Sequence, residues 1–282
     1  MSPVTEAGLT ALRELRRNLR STKGIAMFVL FFLGGAVPSL LQVLFVRAMS
    51  KAGMAEMPAE ARQELIAQVL SEAYGPATAK YLSTCPPLLF AFLFKGTLIF
   101  LPVLILLIGF DQIAGEIQHR SIRYYAGRAR RASIVAGKAL GVWGVITIMT
   151  FVLHATVWSV LLVRGTEAPT QVLSWGIRLW LFTVASAAAY VGLTSLISSF
   201  FKTPIVALFV GVGVLFVLWL ASTILGLWET TEVITWVFPS TYESKLLISP
   251  DPVRVFGGVA ALIGWGAAMV AGAAAIVSRR DI

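Results

Sequence analysis

Six apolar stretches of about 20 residues or more constrain this chain more than any other feature. They fall at 25–46, 87–109, 139–163, 177–200, 204–226 and 255–277. A hydrocarbon core ~30 Å thick needs helices of that length, because each backbone N–H and C=O must find its partner within the segment. No stretch of about 10 residues alternates apolar and polar side chains as a membrane barrel strand does. Composition agrees. The 282 residues are 57% hydrophobic and 13% charged, against roughly 45–50% and 25% in soluble domains. The fold class read from the sequence is therefore an all-α polytopic membrane protein, one six-helix domain over 1–282.

The first stretch follows Arg13, Arg16, Arg17, Arg20 and Lys23, as the apolar run of a signal peptide would. Its length of 22 residues and the lack of an A-x-A site read instead as a retained anchor. Six spans place both termini on one side, and the distribution of charge chooses the side. With the N-terminus inside, the inner segments hold fourteen basic and five acidic residues, a net +9. The outer segments hold eight basic and nine acidic residues, a net −1, and Lys95 lies within span 2. The reading is N-in, C-in, which suits a bacterial inner membrane. It also removes the need for nucleic acid to explain the overall charge of +9.

Within residues 1–24, Leu9, Leu12, Leu15 and Leu19 recur at helical spacing, with Arg13, Arg16, Arg17 and Arg20 on the other side. The regular spacing favours an amphipathic interfacial helix, leucines toward acyl chains and arginines toward phosphate. The alternative is a solvated basic tail that only enforces topology. In the outer loop 47–86, Pro58 and Gly75-Pro76 bracket a helix of about 17 residues, with Ile66, Val69, Leu70 and Ala73 on one face. The segment 227–254 is too apolar for a free loop and too broken for a span, and reads as short interfacial or re-entrant helices.

Residues with catalytic chemistry are scarce. The motifs H-E-x-x-H, G-x-S-x-G and Cys-x-x-Cys are absent from the sequence. Gly137-Lys138 matches only the end of a phosphate-binding loop, since Ala132 and Ala139 stand where a glycine and a hydroxyl are needed. Met49, Met54 and Met57 have no His or Cys beside them in sequence, and Cys85 is the only cysteine, so neither a metal site nor a disulfide framework is expected. None of the six windows contains Asp or Glu. The polar residues left are His154 in span 3 and Lys95 in span 2. Each reads either as a pathway residue or as packing, His154 hydrogen-bonded between helices and Lys95 snorkelling outward. Small residues at Gly137, Gly141, 185–189, Gly264, Gly266, Ala268 and Gly272 allow close helix approach in a bundle or a dimer seam.

The inner segment 110–138 carries the strongest pattern. It runs Asp111, Ile113-Ala114-Gly115-Glu116, His119-Arg120-Ser121-Ile122-Arg123-Tyr124-Tyr125, Gly127, Arg131, Ile134 and Gly137-Lys138. A positive-inside loop accounts for the arginines. It does not require Ile122, Tyr124 and Tyr125, which with Ser121 as a cap and Gly127 as a stop suit a short helix docking into a groove.

These residues resemble the membrane subunits of type-2 ABC exporters. That family carries an acidic residue, Ile/Val-Ala/Ser-Gly-Glu, Gly-Thr-Leu, a Ser-x-Pro turn, Arg and Ile-x-x-Gly-Lys between spans 2 and 3. Ser278-Arg279-Arg280-Asp281-Ile282 is similar to its C-terminus. Arg120 stands where Gly is usual, and the Ser-x-Pro proline is missing. The resemblance implies a cytoplasmic coupling helix, with Glu116, Arg120, Ser121, Ile122, Arg123, Tyr124, Tyr125 and Arg131 toward a separate ATPase. It implies two permease subunits, identical or different, and two ATPases that bind the ATP and Mg; this chain would bind no cofactor and hold no catalytic residue. Export from the cytoplasm or inner leaflet is the function implied. Relatives that pass ATPase motion to an extracytoplasmic partner supply the alternative within the family. A membrane scaffold or enzyme without an ATPase is the alternative outside it.

Overall fold

The computed structural model describes residues 2–51, 58–84, 88–120, 129–165, 168–226 and 228–280. Met54, Met57, Cys85 and the coupling residues Ser121, Ile122, Arg123, Tyr124 and Tyr125 lie outside them. The chain is a helical bundle of α1 (Pro3–Arg20), α2 (Thr22–Lys51), α3 (Ala59–Tyr74), α4 (Pro76–Thr84), α5 (Leu88–Gly109), α6 (Ala114–Gln118), α7 (Arg131–Arg164), α8 (Pro169–Phe200), α9 (Pro204–Leu225) and α10 (Pro252–Arg279). Between α9 and α10 come a 3-10 segment (Glu229–Val237), one α turn (Pro239–Tyr242) and a π segment (Glu243–Leu247). Among the described residues, six helices are long and apolar enough to cross a membrane, one in each of the six windows read from the sequence. The chain is a multi-pass membrane protein.

Several spans run beyond their apolar windows, α7 and α8 at their N-terminal ends most of all. α7 starts at Arg131 and α8 at Pro169. A helix of 34 residues is ~51 Å long, well over the ~30 Å hydrocarbon core. Hydropathy marks where lipid ends, whereas the i to i−4 hydrogen bonds continue until capped. α7 ends that way at Gly165, whose φ of 61° lets its N–H reach the Leu161 and Leu162 carbonyls.

α8 is the central helix, with 78% of its most apolar window buried, against 11% for α9 at the rim. α8 and α10 cross almost backbone to backbone. A Cβ on Gly192 would stand 2.3 Å from the Gly266 carbonyl oxygen, and one on Gly266 2.3 Å from that of Ala188. Small residues thus bring these spans together within the chain. Gly264 faces open space.

α1 begins on Ser2, whose hydroxyl accepts from the Thr5 N–H at 3.2 Å, with Pro3 in the first turn. It lies lengthwise along the first turns of α7. A Cβ on Gly137 would meet Ala7 and Thr10, one on Gly141 would meet Ala11 and Glu14, and one on Gly144 would meet Leu15. This parallel register shows that the 137/141 glycines seat the N-terminal helix. The leucine stripe divides: Leu15 and Leu19 join the core, while Leu9 and Leu12 stay exposed.

Candidate functional site

The segment after α5 is tied to α8 by hydroxyl side chains. Ser198 Oγ donates to the Phe110 carbonyl at 2.8 Å and accepts the N–H groups of Ile113 and Ala114 at 3.1 and 3.0 Å. Gln112 Nε2 donates to Ser195 Oγ at 2.8 Å. One hydroxyl therefore satisfies three backbone groups where the helix breaks, so α6 leaves the bundle at a defined angle. Lys23 Nζ pairs with Asp111 at 2.9 Å and lies over the Phe110 ring, joining the start of span 1 to the same turn.

Glu116, on α6, enters a buried ion cluster. Lys138 Nζ of α7 stands 2.8 Å from Glu116 Oε1 and 3.3 Å from Glu14 Oε2 of α1. Arg17 of α1 bridges the same two acids, at 3.3 Å from Glu116 and in direct contact with Glu14. Asn18 Nδ2 donates to the Glu14 carbonyl and carboxylate. Two acids and two bases are balanced, which such burial requires. Leu9, Thr10, Arg13 and Ile134 wall a crevice of 180 Å³ over the cluster. The Gly-Glu and Gly-Lys ends of the sequence pattern thus meet as one ion pair, and Gly137 leaves room for Ala7 and Thr10 of α1.

The other coupling candidates separate. Arg120 is exposed, and its φ of 55° lies in the left-handed region, which explains why the family pattern favours Gly at that turn. Arg131 Nη1 donates to the carbonyls of Val277, Ser278 and Arg280 at 3.3, 3.1 and 2.7 Å, clamping the end of α10. A cation there complements the C-terminal end of the helix dipole.

The two pathway candidates do not share a site. His154 is buried in α7, its Nδ1–H donating to the Thr150 carbonyl at 2.8 Å and its ring edge-on to Trp158. Lys95 of α5 lines a cavity of 930 Å³ on the side away from the termini, together with Tyr74, Tyr190, Trp219 and Glu243. The windows read from the sequence contain no acid, yet Glu243 reaches the bundle interior from the broken segment before α10. Burial pushes its carboxyl up to about 7, against the downward pull of Ser186, Lys95 and Tyr190. A carboxyl raised from 4.5 to about 7 favours the folded state most below the lower value and loses that stabilisation as pH rises through the upper one. Glu243→Gln is expected to melt higher than wild type in detergent at about pH 8.5 and no higher at about pH 5.5. An unchanged difference between the two conditions would contradict the buried carboxyl.

Glu14 was not legible as a site residue, since in sequence it is one polar position of an arginine-rich helix. Its spacing from Thr10 and Asn18, four residues each way, is the only signal of a polar packing face. Ser195 and Ser198 are likewise indistinguishable from other small residues of a span. No curated protein matches the chain. A family model described as ABC-2 family transporter protein matches residues 10–236, a range that takes in Glu14, Glu116, Lys138, Ser195 and Ser198. The chain belongs to the ABC-2 transporter family, whose members are the membrane permease components of ABC transporters.

Proposed function

We propose that this chain is the permease subunit of an ATP-driven exporter in a bacterial inner membrane, its termini cytoplasmic. A second permease copy or homologue and two ATPase subunits, which bind ATP and Mg, complete the complex. The observation that carries this reading is the ion cluster at the root of segment 119–130. Glu116 joins that segment to both α7 and α1 through Lys138 and Arg17. A push on the segment from an ATPase would therefore move α1 and span 3 together, because a charge pair in a low-dielectric site resists separation more than apolar contacts do. The 121–125 residues would form the docking surface, with Arg120 and Arg123 toward acidic groups on the ATPase. Arg131 holds the C-terminus in place rather than reaching outward.

Affinity purification in mild detergent tests the reading, with a co-purifying nucleotide-binding subunit expected. Glu116→Ala and Tyr124→Ala/Tyr125→Ala are expected to cut substrate-stimulated ATPase activity by roughly tenfold, within the 1–3 kcal/mol typical of coupling free energies. The Tyr124→Ala/Tyr125→Ala bundle should stay folded, whereas Glu116→Ala also leaves Lys138 without a partner at 2.8 Å, so its turnover is read on the fraction that thermal unfolding shows to be folded. Normal stimulated turnover with normal partner binding would sink the assignment of these residues.

The helical pair α3 and α4 on the side away from the termini supports a second reading, transmission of motion to an extracytoplasmic partner. Leu70 and Leu82 anchor that pair in the core, so it would move with the spans. ATPase turnover that needs such a partner and no substrate would favour this reading over export.

A further inference from the structure

A basic side chain, Lys95, and an acidic one, Glu243, both line the 930 Å³ cavity. Among the described residues, Lys95 and Glu243 form no ion pair; the Lys95 ammonium lies instead 5.3 Å from the centroid of the Tyr74 ring. Glu243 Oε1 is buried there with no hydrogen bond of full geometry, Ser186 and Tyr190 lying close to its carboxyl. A buried carboxyl oxygen in that condition has room for a further partner, a water, an ion or a ligand group. The rest of the wall is apolar. Leu98, Ile99, Leu215, Phe216 and Trp219 form a trough between α5 and α9, and Ile99, Phe216 and Trp219 remain exposed along it. Pro102 also lines the cavity; it has no N–H, which deprives the Leu98 carbonyl of its i+4 donor. The volume lies in the upper part of the roughly 300–1,000 Å³ range of small-molecule sites.

We propose that this cavity binds a zwitterionic phospholipid, its phosphate at Lys95, its ammonium at Glu243 and one acyl chain in the trough between α5 and α9. An anionic lipid of single charge would satisfy Lys95 but set its phosphate near a second negative group. An uncharged lipid would fill the trough and leave both polar groups unmet. Only a headgroup with both signs answers the pair. The site stands apart from the export reading, since binding requires neither ATP nor a second subunit.

The test offers the full-length chain in mild detergent an equal mixture of phosphatidylethanolamine, phosphatidylglycerol and diacylglycerol with matched acyl chains. Native mass spectrometry counts what is retained. Phosphatidylethanolamine should be retained over the other two. Lys95→Met and Glu243→Gln should each reduce its retention by roughly tenfold, the factor carried by one hydrogen bond to a charged group. Val212→Trp, which narrows the trough and touches neither charge, should do the same and keeps the test informative if a charge variant misfolds. Lys202→Met, at the opposite end of the bundle, should change nothing. Equal retention of the three lipids, preference for phosphatidylglycerol, or wild-type retention in Val212→Trp would overturn the site. Failure here leaves the ATPase co-purification result untouched, and failure there leaves this site standing.

Discussion

Replacing Lys138 with methionine is expected to destabilise the folded chain by about 3–5 kcal/mol, the range for removing one partner of a buried ion pair. Methionine keeps the length and the apolar stem, so the loss comes from the charge. Lys138 stands between Glu14 and Glu116 with only 6% of its side chain exposed. Without its ammonium, two carboxylates share a dry site with Arg17 alone, and that side chain is 48% exposed. The neutral triple variant Glu14→Gln/Glu116→Gln/Lys138→Met should recover most of the stability, because no net charge is left buried. It should not recover ATPase coupling if the cluster transmits motion. Thermal unfolding in detergent reads the first effect and stimulated turnover the second. Wild-type unfolding of the single variant would show that the cluster contributes nothing to the fold.

The second large effect is expected at the crossing of α8 and α10. Gly266→Leu places a branched side chain where a Cβ alone would already stand 2.3 Å from the Ala188 carbonyl oxygen. Backbone cannot step aside as a flexible side chain can, so the two spans must separate along their length. A cost of about 3 kcal/mol, the upper end of the usual overpacking range, is expected. Loss of folded, monodisperse protein on size exclusion would report it. Gly257→Leu on the same helix meets open space and should purify like wild type. Equal behaviour of the two variants would contradict the close crossing.

Much of this architecture was readable before any coordinates, because one physical requirement dominates. A segment in hydrocarbon must satisfy its own backbone, and apolar length announces such a segment without reference to its neighbours. The signal blurs at the ends of α7 and α8, where the helix outlasts the lipid. The pairing of Glu116 with Lys138 was present in the sequence only as two halves of a pattern 22 residues apart. Nothing local says that the halves touch, or that Glu14 joins them from more than a hundred residues away. The same holds for Gly137 and Gly141, which announce close approach but not by which helix.

Glu243 is the clearest case of what the pattern hides. A window average places it in a polar, broken segment outside the spans, where a carboxylate would be solvated. Folding returns that segment toward α8, beside Ser186 and Tyr190, and buries the carboxyl. Arg131 changes meaning for a similar reason. In the sequence it is one more cation of a basic loop; in the fold the end of α10 comes within 2.7 Å of it.

The sequence by itself determined the solvent, the number of spans, the topology expected from charge and the family pattern, because these depend on composition and on order along one chain. Tertiary structure alone decided which charges are buried together, which glycines face which helix, and that Lys95 and Glu243 share a cavity. Those outcomes depend on distances between segments far apart in sequence, set by how the helices pack as a whole.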